Sequence, residues 1–551
     1  MMALLNRITR KAGNKLTHKA AQSLSTRGYK QFCKALAQPQ AVQREKLSSL
    51  LKVIAPSVSG KRYNLSSELF YEEFIRKVPI TEYDDWAAQI DKARSGSPQE
   101  LSMEANERFQ PTSGSTSKIK WIPYTQSFLN ELDAAISPWM MDMYQNNPGM
   151  LSGSHYWSLS WVPTELRRTI SGAVNDDLKL LPWWKRVFMG LTSSVPEGVS
   201  LADTSDDSQF ATLCYLLADK SLTFLSVWSP TFALTLFDNI IKHKLELVSV
   251  LATGKWGPRD AALPGLKCPK SHRVAELLLH WKGAVSAELL QQIWPKLALV
   301  SAWDTSSSTT WAHKLQRLLP QGEFQGKGLW ATEGVVTIPF QNQYPLAICS
   351  HFYEFIDLET EEVLPAWKLE KDQLVRPVLT TGSGLLRYAM KDKLRVSGFL
   401  QDCPCFEFLG RLDGIDLVGE KMSPEIALEV MKTVDNNPCL AAITLFAVPT
   451  SSSNEKPFYL LLCEANADIT EFEMKQIAVN AEAELSACFH YQLARDLGQL
   501  DALKVCCSQS ARDLYYSRCE ARGMVVGNIK IEPLVLWDIE TPNVFLDAIA
   551  A

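Results

Sequence analysis

The sequence predicts a mixed α/β protein of two domains, and three observations carry that prediction. At 551 residues the chain is longer than one ordinary domain. Strand-like apolar runs and helical periodicities alternate through most of its length. A stretch dense in turn formers and alternating charge, from Gly410 to Glu425, then sets off a compact alternating tail. Residues 1–411 are therefore expected to form a large N-terminal domain of β-sheets flanked by helices, and residues 412–551 a small α+β domain.

Composition narrows the function. Apolar content of 46% and charged content of 21% are those of a soluble globular chain. A net charge of −5 offers no electrostatic case for nucleic acid as the main partner. No apolar run approaches the roughly 18 to 20 residues that span a bilayer. Twelve cysteines, among them Cys403, Cys405, Cys506 and Cys507, lack zinc-site spacing and read as reduced thiols of a cytoplasmic protein.

In chain order, the first 44 residues carry lysines and arginines but no acidic residue before Glu45. A transit peptide or a surface-lying amphipathic helix fits that composition. The favoured reading is a leading helix packed on the domain behind it, with Leu4, Leu5, Ile8, Leu16, Ala20 and Leu24 on one stripe. A short helix signal follows at 47–53, and Thr81 is placed to cap a helix with an acidic first turn. Helical patterns cover 126–144, 232–247 and 275–293, and 297–303 reads as a buried strand. Beyond Ser423, placed to cap a helix that starts with Pro424, strands are expected at 441–448, 458–464 and 502–506. Helices at 469–494 and 508–522 complete the tail.

Three stretches bear chemistry. In Thr112–Ser117 five of six residues carry hydroxyls, the sixth is Gly114, and Lys118 and Lys120 follow. Such a run cannot pack a core, but its N–H groups, hydroxyls and lysines can converge on an anion. It is not a Walker A loop, and a solvated linker fits the same composition. The second stretch, Gly328 to Pro339, reads as strand, polar turn, strand, with Glu333 at the turn. The third, Thr380 to Val396, follows a strand with a Gly/Ser turn and then Arg387, Tyr388 and Asp392.

Taken together, these residues resemble the acyl-acid amido synthetases of the Gretchen Hagen family, a branch of the adenylate-forming superfamily of acyl-CoA synthetases and luciferases. The resemblance covers nearly the whole chain: Val78-Pro79-Ile80 to Tyr83, the hydroxyl loop, Ala331-Thr332-Glu333-Gly334, and Leu386-Arg387-Tyr388 with Asp392. The segment Gly419 to Glu425 looks like the bacterial branch. The resemblance implies ATP and Mg²⁺, a small carboxylic acid and an amine, with an amino acid as the expected amine. Ser113, Gly114, Ser115, Thr116 and Lys118 would then embrace phosphates, and Ala331 and Thr332 would meet the nucleotide. Glu333 would hold Mg²⁺, Asp392 the ribose hydroxyls, and Arg411 the ribose or phosphate. Lys530 would reach the reacting carboxylate from a mobile small domain. The aromatic residues of the region after Gln126 hint at an apolar or ring-bearing acid.

The chain departs from the family at Tyr388-Ala389-Met390-Lys391-Asp392, where Tyr-Arg-x-Gly-Asp is usual. If the replaced glycine needs a positive φ, Lys391 is strained by about 1 kcal/mol. Transfer to a thiol such as coenzyme A, or binding without catalysis, are the alternative readings.

Overall fold

The computed structural model describes the chain except at residues 1, 98, 112–119, 159–182, 306–307, 413, 416, 419, 421, 435–436, 450–455, 468, 497–498, 523, 525–528 and 538–551. Side chains of residues 2–13, 111, 183–186, 189, 310 and 489 also lie outside the description. The chain divides into two compact units. The larger takes in residues up to 112 and Lys120–Leu409, and the smaller takes in Gly410–Met524 and the residues from Ile529 on.

The larger unit holds two principal sheets. One is wholly parallel and runs in sequence order through Ser154–Trp157, Leu222–Ser226, Leu299–Ser301 and Glu323–Gln325. Leu222–Ser226 is buried along its whole length. That explains its unbroken apolar reading, since helices cover both faces of a parallel sheet. The other is antiparallel, ordered Val363–Pro365, Phe352–Asp357, Leu374–Thr380, Asp392–Leu400 and Cys403–Arg411, with Tyr388–Ala389 paired to Leu374–Thr380. One apolar core, including Phe32, Leu51, Trp86, Phe128, Val335 and Phe406, links the N-terminal helices to this antiparallel sheet.

The leading helix, Met2–Ala35, is present, but its buried stripe differs from the expected one. Leu16 and Leu24 point to solvent, while Asn14, His18, Ala21, Ser25 and Phe32 are buried. The buried face starts polar because His18 meets the Tyr144 hydroxyl at 3.1 Å and the Gly153 carbonyl at 2.8 Å. A stripe chosen by hydrophobicity alone misses such a face. Thr81 does not cap the next helix either. Glu82 stands at the N-cap of Tyr83–Arg94, while Thr81 accepts from Trp86 Nε1 at 2.8 Å and donates to the Leu386 carbonyl at 2.7 Å.

Several long helical patterns are interrupted. Residues 232–247 fall in two helices, Pro230–Lys242 and Lys244–Thr253, and 275–293 in His272–His280 and Ala287–Ile293. The helix Gln126–Asn146 runs unbroken, with Thr125 as its N-cap accepting from the Phe128 N–H at 3.2 Å.

The smaller unit has a four-stranded sheet in the order Lys504–Ser508, Phe458–Ala465, Leu440–Val448, Leu534–Leu536. The central pair is antiparallel and both outer pairs are parallel. Helices Pro424–Lys432, Glu471–Ser486, Phe489–Asp496 and Ala511–Ala521 accompany it. Ser423 caps the first of these as expected, accepting from the Ile426 N–H at 3.3 Å. Among the described residues no helix is long and apolar enough to cross a membrane.

Candidate functional site

The Gly328 to Pro339 stretch folds as a tight hairpin, with Trp330–Ala331 antiparallel to Gly334–Val335 and Thr332-Glu333 between them. Its apolar flanks, Leu329, Val335 and Val336, are buried in the core, which leaves Thr332 and Glu333 partly exposed at the turn. Gly334 is required by close approach: a Cβ there would lie 2.6 Å from Leu379 Cδ2 and 2.8 Å from His351 Nε2.

The hydroxyl loop is framed by two paired strands, Asn106–Pro111 and Trp121–Thr125, with Pro111 opposite Trp121. Ser113, Gly114, Ser115, Thr116 and Lys118 themselves lie outside the described residues. The strand that leaves the loop reaches the hairpin directly, because the Tyr124 hydroxyl donates to the Thr332 carbonyl at 2.9 Å. Residues 208 apart in sequence are thereby neighbours.

The Gly/Ser turn packs against the same helix start. Thr125 Oγ1 donates to the Gly382 carbonyl at 2.8 Å, and Ser383 Oγ donates to the Pro123 carbonyl at 2.7 Å. Gly384 has φ +88°, and a Cβ there would meet the Leu101 carbonyl at 2.2 Å, so only glycine fits. Arg387 is structural. Its guanidinium makes a two-pronged contact with Glu354, both bonds 2.9 Å, and donates to the Val78 and Ile75 carbonyls at 2.7 and 3.2 Å. Asp392 opens the strand Asp392–Leu400 and is partly exposed. The anticipated strain at Lys391 is absent, because the left-handed residue of this segment is Arg387, at φ 47°, and not Lys391.

The remaining two candidates belong to the smaller unit. Arg411 lies 3.7 Å from Glu532. The Lys530 carbonyl accepts from the Tyr515 hydroxyl at 3.2 Å, and that hydroxyl oxygen in turn accepts from the Glu532 N–H at 3.2 Å. Burial pushes the Tyr515 hydroxyl well above the usual tyrosine range, so it stays protonated and serves as donor and acceptor at once.

Two groups escaped the sequence reading. Glu131 and His351 form a buried pair beneath the hairpin, Nδ1 to Oε2 at 2.7 Å. The one signal for it was an acid on the apolar face of a helix, with Phe128, Leu132 and Ala135 around it. Trp139, Trp228 and Trp330 form a cluster in which the Lys327 ammonium lies 4.9 Å from the Trp228 ring centre and 5.4 Å from that of Trp139. Lys327 is buried and donates to Ser226 Oγ at 2.7 Å. Trp157, whose ring meets Trp139 edge-on, Ser226 and Gln325 mark the carboxyl ends of three parallel strands, the usual binding edge of such sheets. Among the described residues no three His, Cys, Asp or Glu side chains are grouped to hold a metal.

Comparison with known proteins gives a consistent result. Residues 28–324, more than half the chain, match the GH3 family N-terminal domain, and residues 344–411 match the GH3 family central domain. The chain is 24% identical over 389 residues to the indole-3-acetic acid-amido synthetase GH3.15 of Arabidopsis thaliana, covering 63% of this chain and 64% of that protein. With GH3.4 of the same plant it shares 22% identity over 443 residues, covering 72% of this chain and 71% of that protein. The chain thus spans just under two thirds of the first of these relatives. Among solved structures, the GH3.15 acyl acid amido synthetase shares the mixed α/β fold with a TM-score of 0.76, at 17% identity and 95% coverage of both chains. A structure of the same synthetase in complex with 2,4-DB also gives 0.76, at 18% identity, covering 97% of this chain and 96% of that one.

Proposed function

The chain belongs to the GH3 family, and on that premise we propose that it is an ATP-dependent acyl-acid amido synthetase. It would couple a carboxylic acid to AMP with release of pyrophosphate, then pass the acyl group to an amine, an amino acid by preference. The observation that carries this reading is the Tyr124–Thr332 bond, which seats the exit of the hydroxyl loop against the hairpin bearing Glu333. Adenylation needs groups that grip phosphate and a carboxylate that holds Mg²⁺, since charge builds on the departing pyrophosphate.

The roles are those that the family resemblance implies, and the chemistry of the side chains is compatible with them. Ser113, Gly114, Ser115, Thr116 and Lys118 bind phosphates, and Ala331 and Thr332 contact the nucleotide. The Glu333 carboxylate, partly exposed at its turn, is the hard oxygen donor that Mg²⁺ favours alongside phosphate oxygens. When bound, that ion would screen phosphate charge. Asp392 accepts from the ribose hydroxyls. Arg411 and Lys530 are assigned to the nucleotide and the reacting carboxylate, with residues 1–411 as adenylation domain and 412–551 as lid. The tryptophans at the carboxyl ends of the parallel strands favour a ring-bearing or apolar acid.

The test is hydroxamate formation from MgATP, hydroxylamine and a panel of aryl, indole and fatty acids. Glu333→Gln and Asp392→Ala should each lower the rate by about 100-fold or more, with the fold intact by circular dichroism. Unchanged rates in both variants would remove the assignment. Product mass with coenzyme A against a mixture of amino acids then identifies the acceptor.

A further inference from the structure

Glu131 and His351 do more than fill the core. Val335 N–H can only donate, and it points to His351 Nε2 at 3.1 Å, so that nitrogen accepts. The neutral ring therefore carries its proton on Nδ1 and donates it to Glu131 Oε2 at 2.7 Å. The same Oε2 accepts the Gly382 N–H at 2.9 Å. One carboxylate oxygen thus ties the Thr381–Gly384 turn directly, and the Thr332–Glu333 hairpin through a single imidazole. The other contacts keep the arrangement rigid. His351 stacks on Phe128 at 5.4 Å, Ser350 Oγ donates to the Glu131 carbonyl at 2.8 Å, and the Tyr353 hydroxyl donates to the Val335 carbonyl at 2.6 Å. His351 is fully buried and Glu131 nearly so, which strengthens each of these bonds relative to solvent.

We propose that Glu131 and His351 are positioning residues that lock the Thr332–Glu333 hairpin to the Thr381–Gly384 turn and so set the geometry of the nucleotide site. The pair is buried and acts through Val335 and Gly382. A shift of about 1 Å in such a frame is enough to cost about 100-fold in rate. The functional half of this inference rests on the adenylation reading above.

The experiment compares the full-length wild type with Glu131→Gln, Glu131→Ala, His351→Phe and the control Ser350→Ala. Ser350→Ala loosens the same helix–strand contact without touching the carboxylate. Peptide-resolved hydrogen exchange should show residues 330–336 and 380–385 exchanging about 10-fold faster together in Glu131→Gln, and neither segment moving in Ser350→Ala. Hydroxamate formation should fall about 10-fold or more in kcat in Glu131→Gln, with KM for the acid unchanged. Glu131→Gln keeps the shape but replaces the charged oxygens by a neutral amide, which weakens both bonds, so it gives a folded reading even if the alanine variant does not fold. Exchange that rises in one segment alone, or in neither, overturns the coupling. Joint exchange with kcat unchanged leaves a purely structural pair and overturns the positioning role. If the wild type forms no hydroxamate with any acid, the adenylation reading fails, while the exchange data still decide whether the two segments are locked together.

Discussion

Two buried carboxylates, one in each unit, show how differently the same group can be used. Glu420 of the smaller unit accepts the Leu417 and Val418 N–H groups at 2.9 and 2.8 Å and the Tyr459 hydroxyl. Two of these partners lie two and three residues back, so the carboxylate closes a local turn, as an Asx-like cap does. Glu131 of the larger unit binds partners 220 and 251 residues away. The first secures one turn of chain. The second joins a helix, a strand end and a loop that share no local sequence. Water can take over the two half-buried amides of Glu420, and only its third partner, the Tyr459 hydroxyl, is buried; both distant partners of Glu131 are sealed in the core.

The sharpest way to break this comparison is to remove both acids. Glu131→Ala strands the His351 and Gly382 N–H donors in the core, at about 1–3 kcal/mol each, and should destabilise the larger unit by about 3 kcal/mol or more. Glu420→Ala should cost less, about 1–2 kcal/mol, because water reaches the part-buried Leu417 and Val418 amides and only the buried Tyr459 hydroxyl loses this acceptor. Urea denaturation of both variants measures the difference, and equal losses would show that separation in sequence does not govern the cost.

A second, smaller effect follows from pH. Burial holds the His18 and His155 imidazoles below their ordinary value of 6.5, most strongly at His155, where the His18 ring stacked at 4.2 Å adds to it. The unfolded chain therefore takes up protons near pH 6.5 that the folded chain refuses. Stability is at its plateau above that pH and declines as the solution is acidified below it, by at most about 1.4 kcal/mol per imidazole per pH unit. Urea midpoints at pH 7.5 and 5.5 measure the decline, and His18→Asn should reduce it, with the His155 contribution remaining. A stability that rises on acidification would contradict the buried, neutral state of the pair.

The smallest effect is expected at Lys530, whose carbonyl is held by one shared hydroxyl. Tyr515→Phe removes that donor and acceptor together and should cost about 1 kcal/mol in thermal denaturation, while hydroxamate formation from MgATP persists. A large loss of adenylation in this variant would place the Tyr515 contact in the first half-reaction.

How much of this was legible depended on distance along the chain. Ser423 as a cap, the Thr332–Glu333 turn and the strand at 458–465 could be read directly, because cap, turn and strand signals act over a few residues. Thr81 was misread as a cap because its hydroxyl has distant partners: it pairs with Leu386, 305 residues on. Leu16 and Leu24 were misread as buried because the helix face is selected by what packs on it, and here that is Tyr144 and the Gly153 carbonyl. Glu131 was passed over as one more helical acid, although its place between Phe128 and Leu132 on an apolar face pointed inward.

By itself the sequence determined the local chemistry: a hydroxyl loop that cannot pack, a carboxylate at a tight turn, an aspartate at the start of a strand, and an order of motifs that resembles one family. Tertiary structure alone decided which of these become neighbours. It set the loop's exit strand against Thr332, turned Arg387 into a core strut for Glu354, spared Lys391 any strain, and buried Glu131 against His351. The physical reason is that capping, turn and propensity energies act over a few residues. The pairing of buried donors with acceptors hundreds of residues apart is settled only when the whole core excludes water.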